Sequence, residues 1–144
     1  MSETLPQTPS MRLDGRRAAI TGAGRGIGKA LACALAAAGA EVTLIARSTD
    51  EIDELAEAIK TDGGSTMAKT LDMLDLDAVI DFFRAAPAFH ILVNNAGTNR
   101  PKPLGEVTLE DYDAVMDLNV RSCFFAAKAA SDQMVVEDVA GSLI

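Results

Sequence analysis

Short apolar runs alternate along the chain with longer stretches whose apolar residues recur every three or four positions. The short runs are typical of buried strands and the periodic stretches of amphipathic helices. Strands are predicted at 18–21, 42–46, 66–70, 91–93 and 141–144, and helices at 26–38, 49–61, 74–86 and 108 to about 135. This alternation predicts an α/β fold, a doubly wound parallel sheet with helices on both faces. The first two helices are expected to cover one face and the next two the other.

Composition and charge narrow the class of protein. The 144 residues are 49% hydrophobic and 24% charged, which suits one domain with a core. The net charge of -8 argues against a nucleic-acid or membrane partner. No apolar run reaches the roughly 18 residues of a membrane span. Cys33 and Cys123 lie in alanine-rich helical patterns, which predicts buried free thiols and a cytoplasmic location. His90 is the lone histidine, so no metal site is predicted.

The start of the chain differs from the rest. Residues 1–12 are mostly polar and contain two prolines. They lack the basic and then apolar pattern of a secretory signal, so a disordered tail is predicted there. Residues 13–144 are predicted to form the single domain.

A glycine-rich loop joins the first predicted strand to the first helix. It reads Thr21-Gly22-Ala23-Gly24-Arg25-Gly26-Ile27-Gly28. Backbone amides in such a loop, together with the partial positive charge of a helix N-terminus, attract phosphate groups. The spacing matches neither G-x-G-x-x-G nor a Walker loop. A glycine-rich turn can be only a turn, but its place in an alternating chain favours a nucleotide pyrophosphate site.

Three further motifs follow in order. They are Asp72 after the third strand, Asn94-Asn95-Ala96-Gly97 at the end of the fourth, and Leu118-Asn119-Val120 in the long helix. Together with the loop they resemble the short-chain dehydrogenase/reductase family from about Leu13 to Ile144. The resemblance implies a Rossmann-like fold, here with about five strands and incomplete at its C-terminal side. It also implies hydride transfer between a nicotinamide cofactor and a small alcohol or carbonyl substrate, and a homo-oligomer formed through the helix at 108–135.

The resemblance assigns cofactor binding to residues at the ends of the first four strands. These are Gly22, Ala23, Gly24, Arg25, Gly26, Ile27, Gly28, Arg47, Asp72, Met73, Asn95, Ala96 and Gly97. Asp72 is expected to bond the adenine amino group, although an acid at this place can also serve only as a helix-start residue. Asn94 is expected to tie neighbouring strands together.

The end of the second strand predicts which cofactor is bound. A carboxylate there would accept hydrogen bonds from the ribose 2′-hydroxyl of NAD. This chain instead has Ala46 followed by Arg47. Arg47 and Arg25 could both donate charge-assisted hydrogen bonds to a 2′-phosphate. NADP(H) is therefore favoured over NAD(H), with a solvated Arg47 ahead of a helix as the alternative.

The catalytic residues of the family are mostly missing. Such enzymes use a Ser, a Tyr and a Lys, with an Asn in the long helix completing a proton relay, and Asn119 matches the last of these. Tyr112 is the sole tyrosine, has Met116 rather than Lys four positions on, and is predicted to be a core residue. The chain thus resembles the cofactor-binding part of an NADP-dependent oxidoreductase without the Ser/Tyr/Lys segment. The alternative is a non-catalytic nucleotide-binding or interaction module.

Overall fold

The computed structural model describes residues 10–144, and its regular elements alternate as the pattern predicts. The strands are β1 Arg17–Thr21, β2 Glu41–Ala46, β3 Ser65–Thr70, β4 Ile91–Val93 and β5 Ser142–Leu143. The helices are α1 Gly26–Ala37, α2 Thr49–Thr61, α3 Leu76–Ala85, α4 Leu109–Met116 and α5 Cys123–Val136. A 3₁₀ turn at Leu104–Glu106 precedes α4, and a π-helical segment at Asp117–Ser122 joins α4 to α5.

The five strands form one parallel sheet in the order β3-β2-β1-β4-β5. The central strand β1 pairs with β2 on one side and with β4 on the other, so that Ile20 lies opposite both Leu44 and Val93. The chain therefore winds outward from β1 in one direction and then crosses to the other side. The predicted doubly wound, Rossmann-like sheet is confirmed. Such a reversal opens a crevice beyond the carboxyl ends of the strands that flank it.

Alternate residues of the central strands feed two separate cores. Ala18 and Ile20 of β1 pack with residues of α1 and α2, whereas Ala19 packs with residues of α3 and α5. This alternation is the period-two geometry of a strand covered on both faces. The expected assignment of helices to faces is confirmed. Among the helices of residues 10–144, none has the length and apolarity needed to cross a bilayer.

The predicted long helix is continuous along the chain, but its hydrogen bonding changes in the middle. It begins at a capping box, in which Thr108 and Asp111 accept hydrogen bonds from each other's backbone amides. Between α4 and α5 the winding loosens into the π-helical segment 117–122. An apolar period of three to four positions is too coarse to show a single wider turn, so the sequence did not reveal it.

Two predictions about burial are wrong. Tyr112 is 57% exposed, and the residue of α4 that is buried is its neighbour Asp111. Cys33 is exposed and Cys123 is half-buried, although both are free. In α1 the buried stripe consists of Gly28, Ala32 and Ala36, and Cys33 lies beside it. A helix rich in alanine does not show which of its faces is buried. The predicted tail falls mostly on residues 1–9, which lie outside the described residues.

Phe83→Ala should destabilise the protein far more than a substitution at an exposed position. Its ring is 1% exposed and makes edge-to-face contacts with Phe82 and Phe89 at 5.1 and 5.8 Å between centroids. Removing such a ring costs about 3–5 kcal/mol, a large part of the total stability of a domain. Urea unfolding followed by circular dichroism would measure the loss. Met67→Ala, at a half-exposed position on β3, should cost under about 1 kcal/mol. Equal losses in both variants would contradict this core assignment.

Candidate nucleotide-binding site

A cleft of ≈ 430 Å³ lies where the carboxyl ends of the strands meet. It is walled by the glycine loop, by the segments after β2 and β3, and by the end of β4. All the predicted cofactor-binding residues line it except Ala23 and Gly28. It also contains residues that the sequence reasoning missed, namely Ala46, Ser48, Glu51, Leu71 and Leu118. A volume of this size suits a small-molecule ligand.

A second cavity of ≈ 430 Å³ lies on the α1–α2 side, near the C-terminal ends of both helices. Arg12 and Asp14 pair across it at 2.6 Å, and Arg12 also donates to the carbonyl of Ala37. The guanidinium group of Arg12 is therefore already bonded to the protein itself. The carboxyl ends of the strands and the glycine loop border the first cleft and not this second cavity, so the first cleft is the candidate site.

The glycines shape the first cleft in two different ways. Gly22 and Gly26 have φ values of 66° and 55°, a left-handed conformation that disfavours any side chain. Gly28 instead permits a close approach, since a Cβ there would overlap the carbonyl oxygen of Gly22. Gly24 also lacks room, because its Cβ would lie 2.5 Å from Oε2 of Glu51. The loop can therefore bend tightly and still pack against β4.

The N-terminus of α1 faces this cleft with its amides available. Within residues 10–144 no side chain caps the helix, and its first turn has no acidic residue. The amides of a first helical turn have no partner inside the helix, and they carry a partial positive charge. An anion is the natural partner for such an end. Ala23 takes no part in this, because it is fully buried and donates its amide to the carbonyl of Ile45.

Thr21 and Asn95 join the two strand ends on which the cleft is built. The Thr21 Oγ1 atom accepts hydrogen bonds from the amides of Asn95 and Ala96, both at 3.0 Å. In return, Nδ2 of Asn95 donates to the carbonyls of Thr21 and Gly22 at 3.0 and 3.1 Å. The glycine loop is thereby fixed to the end of β4. We call this set of bonds the Thr21–Asn95 link.

Both asparagines join neighbouring strand ends, Asn94 through its backbone amide and Asn95 through its side chain. Asn94 contributes its backbone amide to the carbonyl of Ile144, while its Oδ1 atom is buried and without a hydrogen-bond partner among residues 10–144. Asn95 also lines the cleft as expected, together with Ala96 and Gly97.

The charged residues predicted for the cofactor do reach the cleft. Arg25 and Arg47 line it, and neither forms an ion pair within 4 Å among the described residues. Asp72 lines it as well, but its Oδ1 accepts the amide of Leu74 at 3.0 Å. Asp72 therefore has a local structural role and also remains placed to meet a ligand. Met73 is buried and lines the cleft beside it.

Asn119 lies behind the cleft and holds the backbone of Thr98. Its Oδ1 accepts the Thr98 amide at 2.8 Å, and its Nδ2 donates to the Thr98 carbonyl at 2.9 Å. Both polar atoms of the side chain are therefore engaged. The residue sits in the π-helical segment, and a Cβ on Gly97 would lie 3.3 Å from its Oδ1. In this arrangement the side chain of Asn119 positions the loop that follows β4.

The basic residues of that loop bond to the protein itself. Lys102 Nζ lies 2.6 Å and Arg100 Nη1 lies 3.4 Å from the carboxylate of Asp111. The ammonium group of Lys102 and the amide and hydroxyl of Thr108 hold the pKa of Asp111 well below its usual range. The two cations are therefore explained without an anionic substrate. Within residues 10–144 no group of three or more His, Cys, Asp or Glu side chains could hold a metal ion.

His90 has a structural environment. Its Nδ1 accepts the backbone amide of Arg17 at 3.0 Å, which joins the starts of β1 and β4. Burial lowers the pKa of His90, with smaller contributions from Arg16 and Arg17. A neutral ring that accepts a backbone hydrogen bond fits a structural role.

A parallel sheet with a strand-order reversal, a glycine loop and an uncapped helix at its crevice define a nucleotide-binding α/β protein. The chain belongs to the short chain dehydrogenase family, which matches residues 16–144. It is 39% identical to the gluconate 5-dehydrogenase of Gluconobacter oxydans (strain 621H) over 127 residues, covering 85% of this chain and 50% of that protein. It is 35% identical to the D-erythrulose reductase of Gallus gallus over 136 residues, covering 94% and 54%.

A solved structure agrees with these relatives. The gluconate 5-dehydrogenase of Burkholderia cenocepacia J2315, in complex with NADP and tartrate, superposes with a TM-score of 0.84 at 38% identity, covering 93% of this chain and 54% of that one. The chain thus spans about half the length of the curated relatives it matches.

Asp111→Asn should destabilise the protein in a pH-dependent way. The lowered pKa of Asp111 means that its carboxylate stabilises the fold fully above the unfolded pKa of about 3.9. That stabilisation is lost as the pH falls from there toward the lower folded pKa. The variant should melt roughly 3–5 °C below wild type at pH 7, since it loses the ion pair and part of a cap. The gap should narrow below about pH 4.

Asp113→Asn is the matched control, because Asp113 is an exposed acid in the same helix. Thermal melts of the three proteins at pH 3.5, 5 and 7 would measure the effect. A difference between wild type and Asp111→Asn that stays constant over this range would contradict the role given to the carboxylate.

Proposed function

We propose that this chain is the NADP(H)-binding part of a short-chain oxidoreductase that transfers hydride between the cofactor and a small alcohol or carbonyl substrate. The observation that supports this most directly is the pairing of an uncapped helix N-terminus with two guanidinium groups in the same cleft. A dinucleotide with an extra phosphate carries negative charge at two separate places. The cleft offers positive charge at both.

The residues present suit the separate parts of the cofactor. The amides of Gly26, Ile27 and Gly28 at the start of α1 would hold the diphosphate. Arg25 and Arg47 would hold the 2′-phosphate, and Asp72 would accept a hydrogen bond from the adenine amino group. The NADP carried by the Burkholderia relative supports this choice of cofactor.

When bound, NADP(H) supplies or accepts the hydride. The residues of this chain bind it and orient it. The Thr21–Asn95 link keeps the glycine loop against β4, and Asn119 holds the Thr98 segment beside Gly97. None of the 144 residues is a tyrosine followed four positions on by a lysine. We therefore propose cofactor binding without turnover for this polypeptide, and oxidoreductase activity for the whole protein.

The missing Tyr and Lys pair also favours a second candidate function. A nucleotide-binding or interaction module would bind NADPH through the same cleft and never reduce a substrate. The two functions differ in one measurement. Oxidation of NADPH in the presence of small carbonyl compounds by the whole protein would support the enzyme, whereas binding without oxidation would support the module.

We also propose that the protein is a cytoplasmic homo-oligomer that associates through residues 108–135. Apolar side chains on this segment are exposed, among them Tyr112 at 57%, Val120 at 50% and Phe124 at 63%. Such a cluster on one helical unit is typical of an interaction surface. The two free cysteines suit a reducing compartment.

Arg47→Ala should weaken the binding of NADPH by about 10-fold or more and change NADH binding by less than about 2-fold. A charge-assisted hydrogen bond contributes about 1.5–3 kcal/mol, and 1.4 kcal/mol is a factor of ten. Fluorescence titration with both cofactors measures the ratio. Arg84→Ala, which removes the same charge from the C-terminal end of α3, should leave the ratio unchanged. An unchanged ratio in Arg47→Ala would show that this residue does not select the cofactor.

Phe124→Asp should convert the oligomer to monomers without unfolding it. The ring is 63% exposed, so the substitution removes no core contact but places a charge in the proposed interface. Light scattering coupled to gel filtration gives the mass, and circular dichroism checks the fold. Leu104→Asp, at a 91% exposed position outside residues 108–135, should keep the wild-type mass. A wild-type protein that is monomeric at high concentration would rule out the interface.

A further inference from the structure

An acidic side chain lines the nucleotide cleft, although the sequence has no acid at the end of strand β2. Glu51 lies in the first turn of α2 and lines the cleft together with Arg25 and Arg47. Its carboxylate lies against the glycine loop, with Oε2 2.5 Å from the position that a Cβ of Gly24 would take. Its own Cβ lies 3.1 Å from the same point. The side chain of Glu51 therefore fills the space that the missing side chain of Gly24 leaves.

Contact with Glu51, and not the local backbone, restricts the side chain at position 24. Unlike Gly22 and Gly26, Gly24 is not among the residues with positive φ. Its backbone would therefore accept a side chain, and the restriction is the contact with Glu51. The identity of residue 24 is linked to a side chain 27 positions further along, and this link is visible only in the folded chain.

The helix that carries Glu51 also favours its charge. Glu51 and Asp50 are the acids in the first turn of α2, and within residues 10–144 the N-cap residue Ser48 makes no side-chain cap. The partial positive charge of a helix N-terminus stabilises an ionised carboxylate in that turn.

The charges at this end of the cleft are not neutralised by one another. Among the ion pairs of residues 10–144, none includes Glu51, Arg25 or Arg47. Two cations and one anion therefore share a wall of the cleft without direct contact. A negatively charged ligand group is attracted by the guanidinium groups and repelled by the carboxylate. A neutral hydroxyl group instead donates a hydrogen bond to the carboxylate.

We infer that Glu51 is a selectivity-determining residue of the cleft, which supplies from helix α2 the carboxylate that the end of strand β2 lacks. The inference rests on the proposed NADP(H) function. A carboxylate accepts a hydrogen bond from a ribose 2′-hydroxyl and repels a 2′-phosphate. The negative charge of Glu51 thereby counteracts the positive charges of Arg25 and Arg47. The preference for NADP(H) over NAD(H) is consequently smaller than it would be with the two arginines alone. The cleft accepts both cofactors, with NADP(H) ahead.

Glu51→Gln tests this with little change in shape, and Glu54→Gln is its matched control. Glu54 is an exposed acid in the same helix that does not line the cleft. Glu51→Gln should raise the affinity for NADPH about 3- to 10-fold and leave that for NADH unchanged or weaker, the effect of one charge at a solvated site. The gain for NADPH should shrink as salt rises from about 0.01 to 0.15 M. Glu54→Gln should bind both cofactors as wild type does.

The same titrations with 2′,5′-ADP and 5′-AMP place the effect at the adenosine end. Glu51→Gln should strengthen binding of 2′,5′-ADP and leave 5′-AMP unchanged. An NADPH to NADH affinity ratio within 2-fold of wild type would overturn the role of Glu51 while leaving the NADP(H) proposal in place. A wild-type protein that prefers NADH would refute the proposed cofactor instead, and a wild-type protein that binds neither would refute both.

Discussion

The cleft depends on the hydrogen bonds between Thr21 and Asn95. Thr21 is 1% exposed, at the end of the central strand, and the amides of Asn95 and Ala96 satisfy its hydroxyl oxygen. A buried hydroxyl or amide that lost its partner would cost about 1–3 kcal/mol. The link is therefore held in one arrangement. Because it spans 74 positions of sequence, it converts two distant motifs into one wall of a site.

The glycine loop follows from this link. Asn95 donates to the carbonyl of Gly22, which turns that peptide toward β4, and Gly28 has no side chain that would overlap the same carbonyl. The start of α1 is then brought close to β4 with its amides open toward the crevice. A chain that places uncompensated N–H groups at a strand switch point has formed a site for an anion.

Around this centre the structure uses charge in two different ways. Asp111 is nearly buried and is surrounded by donors from Lys102 and Thr108, so its charge stabilises the loop after β4. Arg25, Arg47 and Glu51 line the cleft without direct ion pairs among the described residues, so their charges are left to act on a ligand. Charged residues therefore stabilise the loop in one place and remain available to a ligand in the other. Burial and the number of nearby donors decide which.

The sequence by itself determined the order of elements, the two-faced sheet and the family. Strands and helices differ in the period of their apolar residues, and the glycine loop and the Asn-Asn-Ala-Gly segment are local motifs. These are properties of neighbouring residues, which a one-dimensional pattern can show. The same pattern placed Arg47 and Asp72 at strand ends that do meet in the cleft.

The tertiary structure alone decided which side chains meet. The loop cations Arg100 and Lys102 bond to Asp111, the side chain of Asn95 joins the ends of β1 and β4, and Tyr112 is exposed rather than buried. Glu51 enters the cleft because α2 packs beside the glycine loop, where Gly24 leaves room for it. Such contacts join residues far apart in sequence, and they depend on packing angles that no local pattern encodes.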